Sequence, residues 1–432
     1  MILVQLFFLG FFLFNLLLIY KNGGIKSNFA YSFVLGTYAL FCFITPISFY
    51  FQERYEIHGN FVGDYFESGM QIYLISLIAL SVGYFLVRTD KIERVEKEYQ
   101  YSHRLVSLLF YFVFGMILVN LSLSGVSVLS LFDLSSTTAI SLYRTNIGFS
   151  NYLSAFSDSL IAVLIIAYIF KTPRTNFLIW VILSFFLFLL LGFRYRILLT
   201  LIGIFIIFYF RNRLNLSMFI KILALSGSFF YLMIFISENR RSIFFRRFDE
   251  VSLPFIDYSE YKFYKDENPL LFESQNFLTD LSVIKYYKTS DVSYDYGTTI
   301  FLYPIVRALP ASFFENNEKP YPPPNLKTIQ DSYGTVTGYY SGSAVTNIIE
   351  FYMSFGVMGS IGLMLLFGSI IGKMENRVNY KDPLSLTFYV IVTISFFQYI
   401  SRGYFPQYVN NLAYILIPYF ILYYFSRKTL KE

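Results

Sequence analysis

The chain has 432 residues, of which 56% are apolar and only 14% charged, with 52 Phe, 39 Tyr and one Trp. Soluble domains carry about a quarter charged residues, and disordered chains are poor in apolar residues, so both classes are excluded and a polytopic membrane protein remains. The net charge of +6 fits an excess of Lys and Arg at a cytoplasmic membrane surface better than contact with nucleic acid. Cys42 is the only cysteine, so no intrachain disulfide or thiolate metal cage forms; His58 and His103 are the only histidines, too few for a histidine zinc site.

A membrane-spanning helix needs about 20 mostly apolar residues. Eleven such stretches are expected, at about 2–20, 29–51, 68–87, 105–123, 151–170, 175–191, 194–210, 215–237, 347–371, 384–400 and 409–426. The first lacks a basic leader and a small-residue cleavage site, and reads as a retained span. The fold class is therefore an all-α polytopic membrane protein of about 11 transmembrane helices with one large extracytoplasmic loop. It divides into a membrane domain at 1–237, a large loop at 238–346 and a second membrane domain at 347–432. With the N-terminus outside, the inner segments hold 18 basic residues and the short outer ones five (Arg54, Arg144, Arg194, Arg196 and Arg402). That asymmetry predicts a C-terminus inside.

The large outer loop holds 14 of the 28 acidic residues and 11 basic ones. Within it, Phe277, Leu281, Ile284 and Lys288 share helical spacing, which predicts an amphipathic helix over 274–288. The apolar stretch 298–314 is interrupted by Pro304 and Pro310 and reads as a helix lying in or dipping into the interface. Pro320 to Pro324 form an extended strap, and Gly334, Gly338 and Gly342 lie in a polar stretch before the ninth span.

Charges at membrane depth are costly and mark candidate sites. Asp158 and Glu350 fall inside the outer ends of spans five and nine, and their short side chains cannot reach far toward water. Arg194 and Arg196 occupy the tight junction of spans six and seven, and Arg402 follows span ten. All five lie near one outward-facing level, where a cavity would keep them hydrated or paired; the alternative is snorkelling to headgroups. Arg194 and Arg196, two apart, point about 200° from each other on a regular helix, so a turn at Gly192 is required to aim both inward. Guanidinium groups suit bidentate phosphate binding. Arg240 and Arg241 follow span eight, and Arg307 sits in the interrupted apolar stretch; these suit either lipid headgroups or a lipid-linked pyrophosphate. No Gly-rich phosphate loop, dinucleotide fingerprint, Asp-x-Asp pair or metal-ligand cluster is present.

Three stretches carry a resemblance. Leu191-Gly192-Phe193-Arg194-Tyr195-Arg196-Ile197-Leu198-Leu199 is similar to a Gly-x-Arg-x-x-x-Leu start of a span. Tyr296-Gly297, Val306-Arg307-Ala308-Leu309-Pro310 and Lys319-Pro320 resemble a loop segment with Arg and Pro before Lys-Pro. Ile349-Glu350-Phe351-Tyr352-Met353-Ser354-Phe355-Gly356-Val357-Met358-Gly359 resembles Glu-x-Tyr-x-x-Phe-Gly-x-x-Gly at the next span. In their order and topology these look like the Wzy-type O-antigen and oligosaccharide repeat-unit polymerases.

The resemblance implies a glycosyltransferase of the bacterial inner membrane. It would transfer a growing glycan from undecaprenyl pyrophosphate to the sugar end of a new lipid-linked repeat unit, with no metal and no other cofactor. The partners implied are the undecaprenyl-pyrophosphate-linked oligosaccharide, membrane lipids and a chain-length regulator. Arg194, Arg196 and Arg307 would stabilise the leaving pyrophosphate, with Arg240, Arg241 and Arg402 as further substrate-binding candidates. Glu350 would act as general base or orient an arginine, with Asp158 behind it. An O-antigen ligase, another lipid-dependent glycosyltransferase and a lipid-linked glycan flippase stay open. A ligase is disfavoured because 238–346 contains no histidine, and a flippase by the large loop and the lack of repeated halves.

Overall fold

The computed structural model describes residues 2–53, 55–57, 59–89, 103–123, 153, 155–191, 194–212, 276–320, 322–333 and 344–428, with isolated positions between 220 and 239. The described chain is helical apart from a two-stranded hairpin, in which Glu56 faces Phe61 and Ile57 faces Asn60. The helices are α1 (Ile2–Lys21), α2 (Phe29–Phe51), α3 (Phe66–Val87), α4 (His103–Leu123), α5 (Phe156–Ile169), α6 (Arg174–Leu190) and α7 (Arg194–Arg211). They continue as α8 (Asn276–Thr289), α9 (Tyr303–Ala308), α10 (Pro324–Ser332), α11 (Asn347–Arg377), α12 (Pro383–Arg402) and α13 (Phe405–Lys428). Among the described residues, seven helices are long and apolar enough to cross a membrane: α1 to α4 and α11 to α13. Two of the expected spans correspond to shorter apolar helices, α5 with 14 residues and α6 with 17. α7 has 18 residues but carries Arg194, Arg196 and Arg211. The expected span at 215–237 and the loop boundary at 237/238 lie outside the continuously described residues.

The chain divides into two compact units, Met1–Glu93 with Glu267–Val378 and Ser395–Asn410, and Arg94–Asp266 with Asn379–Ile394 and Asn411–Glu432. In the first unit, α3 and α11 form the tightest helix pair. A Cβ added at Gly83 would collide with the Leu365 carbonyl, and one at Gly368 with the Leu80 carbonyl. At Gly372 it would lie 2.9 Å from the Tyr84 carbonyl oxygen. Glycines at these three positions let the two backbones touch, which is how helices associate where lipid supplies no hydrophobic drive. Ser369 adds a bond to the Gly83 carbonyl at 3.1 Å. Leu80, Tyr84 and Val87 meet Gly368, Gly372 and Asn376 in ascending order, so the two helices run parallel. Gly368→Leu is expected to destabilise the fold by at least about 1–3 kcal/mol through overpacking. A melt of the purified variant in detergent tests this, and an unchanged midpoint would contradict the close crossing.

A polar knot closes the far end of this pair. Arg88 donates from Nε to Asn28 Oδ1 at 3.1 Å, from Nη1 to Asn376 Oδ1 at 2.6 Å and from Nη2 to the Ser27 carbonyl at 3.1 Å. Tyr84 donates to the same Asn28 oxygen at 2.7 Å. Buried Glu375 accepts the Ala30 N–H at 2.7 Å, which places a carboxylate at the positive end of α2. α2 contains one π-helical turn, Leu40–Ile44, which ends two residues before Pro46. Proline cannot donate to the preceding turn, and the wider turn accommodates its ring. Thr45 donates its hydroxyl to the Leu40 carbonyl at 2.8 Å.

In the second unit, α5 is the core. Every side chain from Ser157 to Ala167 is buried, so this helix is enclosed by protein rather than by lipid. Phe110 stacks on Trp180 at 4.7 Å between α4 and α6, and Ile165 fills the space above Gly203 of α7. Arg211 donates to the Ile169 carbonyl at 2.7 Å, satisfying a backbone acceptor left open at the end of α5.

Candidate functional site

Residues 347–371 read as one continuous span in the sequence; the structure has an apolar helix of membrane length there, but breaks it near its start. α11 breaks at Phe355 (φ −147°, ψ 20°) and Gly356 (φ 67°, ψ −156°). Twelve residues of straight helix would extend about 18 Å, yet Ser360 Oγ lies 3.1 Å from the Ile348 carbonyl oxygen. Residues 347–354 therefore form a short half-helix folded back along the start of the long segment. Glycine is required twice. Gly356 adopts backbone angles essentially closed to other residues. A methyl at Gly359 would lie 2.7 Å from the Phe351 carbonyl oxygen.

The break exposes backbone acceptors, and the loop before α9 satisfies one of them. The Met353 carbonyl accepts Asp295 N–H at 3.1 Å and Tyr287 O–H at 3.3 Å. Asp295 in turn accepts the N–H groups of Gly297 at 2.8 Å and Thr299 at 3.0 Å, capping the segment that leads into α9. Tyr296 and Gly297 both have positive φ, 49° and 80°. Tyr287 and Tyr294 stack at 5.0 Å, with Tyr352 perpendicular to both. The Tyr296-Gly297 and Phe355-Gly356 stretches are thus two halves of one folded-back corner.

Glu350 lies on the half-helix and is fully buried. Its Oε1 accepts the Phe405 N–H at 2.7 Å and its Oε2 accepts the Tyr399 hydroxyl at 3.2 Å. It therefore grips the turn between α12 and α13. That turn passes through Gly403 (φ 33°), where an added Cβ would lie 2.5 Å from the Thr346 carbonyl oxygen. The turn carries Arg402, exposed at the end of α12, and Tyr404, whose phenol lies near the Arg307 guanidinium. Arg307 is exposed on α9, and its carbonyl accepts Lys319 Nζ at 2.8 Å. Three expected site residues, Glu350, Arg307 and Arg402, thus belong to one neighbourhood of the first unit.

The second unit holds another group. Asp158 Oδ1 accepts Arg196 Nε at 2.7 Å and the Tyr195 hydroxyl at 3.1 Å, and both charged side chains are buried. Asp158 sits in the first turn of α5, nearer the helix start than the sequence suggests. Thr200 donates its hydroxyl to the Arg196 carbonyl at 2.8 Å. Arg194 begins α7, and its side chain lies outside the described residues, as do Arg240 and Arg241.

Several residues escaped the sequence reading. The helix expected at 274–288 exists as α8, but its first half is buried on all sides rather than amphipathic. Its centre is Asp280, which accepts Thr346 N–H at 3.0 Å, Thr346 O–H at 2.7 Å and the Tyr73 hydroxyl. These bonds tie α8 to α3 and to the start of the half-helix. An acid between Phe277 and Leu281 was the available signal. α8 is not one of the membrane-length helices. Burial pushes the Asp280 carboxyl up to about 7 from its ordinary 3.8. A group raised on folding contributes stability that is complete below the unfolded pKa and lost as pH rises through the folded one. Asp280→Asn is therefore expected to flatten the fall in melting temperature between pH 4 and 7. Identical pH profiles for both proteins would refute this. Among the described residues no cluster of His, Cys, Asp and Glu could hold a metal ion.

No curated protein and no solved structure matches the chain. The model of one family, O-antigen polysaccharide polymerase Wzy, matches residues 1–432, the whole chain. A multi-pass helical architecture, a folded-back corner joining two of the three resembling stretches and this end-to-end match lead to one conclusion: the chain belongs to the Wzy family of O-antigen polysaccharide polymerases.

Proposed function

We propose that the protein joins undecaprenyl-pyrophosphate-linked oligosaccharide repeat units at the outer face of the bacterial inner membrane, with its N-terminus outside and its C-terminus in the cytoplasm. The observation that carries this reading is the family match over 1–432. In the reaction, the bond from the glycan's anomeric carbon to the pyrophosphate breaks. A new glycosidic bond forms to a hydroxyl of the incoming repeat unit, and that hydroxyl's proton passes to a base. Undecaprenyl pyrophosphate departs with the bonding electron pair.

Cations aimed at the departing oxygens lower the barrier, each typically by a few kcal/mol. Arg307, on an exposed helix among apolar side chains, is the described arginine best disposed for this, with Arg402 on the adjoining neighbourhood. Arg194, Arg240 and Arg241 stay candidates from the sequence. Arg196 serves chiefly through its bond to Asp158, which orders the start of α7 where Arg194 lies. Glu350 acts as a positioning residue for the α12–α13 turn, because its two oxygens already accept from Phe405 and Tyr399.

The test is a gel of surface glycans from a strain lacking the protein, beside one complemented with Arg307→Ala. A single-repeat band replacing the ladder in both is the expected result. A ladder restored by the variant would remove Arg307 from the site. Complete loss of glycan in the deletion would favour a flippase or ligase, and an unchanged ladder would overturn the polymerase reading.

A further inference from the structure

The Arg307 neighbourhood contains a feature the polymerase reading does not use. Lys319 lies beside Arg307, held there by the bond from its Nζ to the Arg307 carbonyl oxygen at 2.8 Å. Neither cation forms an ion pair with a carboxylate among the described residues. Partial burial and the positive charge of Arg307 hold the Lys319 ammonium below its ordinary pKa. Two cations placed together without a counter-ion repel each other and are stabilised when an anion joins them. Their surroundings restrict which anion. Phe301, Leu302, Ile305 and Phe313 are all more than half exposed on the same short stretch. That ridge is suited to the acyl boundary of a bilayer, where Arg and Lys meet headgroup oxygens. Tyr404 places a phenol against Arg307, and Glu350 fixes the turn carrying Tyr404 through the next residue's N–H.

We infer that Lys319, Arg307 and Tyr404 form a binding site for the phosphoryl group of a membrane-borne lipid, with Lys319 a substrate-binding residue that complements Arg307. As a site for the substrate's pyrophosphate, it rests on the polymerase reading. The geometry divides the work. Arg307 offers a planar fork to two oxygens. The Lys319 ammonium has one proton occupied by the Arg307 carbonyl and two left to donate. The Tyr404 hydroxyl supplies a neutral donor beside the arginine.

The test uses the full-length protein in nanodiscs of neutral lipid and measures binding of farnesyl pyrophosphate to wild type, Lys319→Ala, Lys319→Arg and Arg307→Ala. Melting temperatures serve as the folding control. Lys319→Ala is expected to weaken binding about tenfold with an unchanged melt, Lys319→Arg to recover most of it, and Arg307→Ala to lose at least as much as Lys319→Ala. Competition identifies the source of the phosphoryl group. Displacement by inorganic pyrophosphate but not by phosphatidylglycerol in the disc assigns the substrate. Displacement by phosphatidylglycerol alone assigns a structural headgroup and overturns the substrate role. Undiminished binding by a folded Lys319→Ala protein overturns the site. The deletion strain's glycan ladder separates the two readings. A single-repeat band with normal Lys319→Ala binding leaves the polymerase standing and removes this site. An unchanged ladder with lost binding does the reverse.

Discussion

Arg196→Ala and Asp158→Ala are each expected to destabilise the protein by about 3–5 kcal/mol, the cost of leaving one member of a buried ion pair uncompensated. The pair is short, at 2.7 Å, and both side chains are buried among the apolar residues of α5 and α7. The informative variant replaces both. Asp158→Asn with Arg196→Gln removes the charges together and leaves side chains that still hydrogen-bond, so it is expected to recover most of the melting temperature lost in either alanine variant. Polymer then discriminates between roles. If Arg196 only orders the start of α7, the double variant regains a glycan ladder. If its guanidinium contacts pyrophosphate directly, the double variant folds and shows a single repeat unit. Wild-type melting temperatures in both single variants would contradict the buried pair itself.

Glu350→Ala is expected to abolish the glycan ladder. The substitution strands the part-buried Phe405 N–H and the buried Tyr399 hydroxyl; a buried donor left without an acceptor costs about 1–3 kcal/mol. It also releases the turn on which Tyr404 meets Arg307. Glu350→Gln keeps one carbonyl acceptor of nearly the same shape. A positioning role predicts a partly restored ladder and a melting temperature between wild type and the alanine variant. A general-base role predicts a folded Gln variant with no polymer, because an amide cannot take the acceptor's proton at neutral pH. The two outcomes separate on the same gel, with the melt as control.

Composition and hydropathy are enough to identify a multi-pass helical protein, because a bilayer requires long apolar segments with their backbone bonds satisfied internally. The ends of α1, α2, α3 and α4 fall within a few residues of the expected spans for this reason. Asp158, Arg196, Glu350 and Arg307 were visible as costly charges, since a charge in an apolar run stands out without any knowledge of its partner. Partners were not visible. Asp158 and Arg196 are 38 residues apart, and Glu350 and Phe405 are 55 apart. No local periodicity encodes such a contact. The fold-back at Phe355-Gly356 was hidden because both arms are apolar and helical, so hydropathy sums them into one span. Asp280 was masked by the apolar helical spacing around it, and only its position against Tyr73 and Thr346 reveals what it holds. Sequence alone determined the membrane class, most helix positions and which charges required explanation, through the free energy of moving each residue out of water. The tertiary structure decided which charges pair, where a span doubles back and which cations lie side by side, because those depend on contacts between segments distant along the chain.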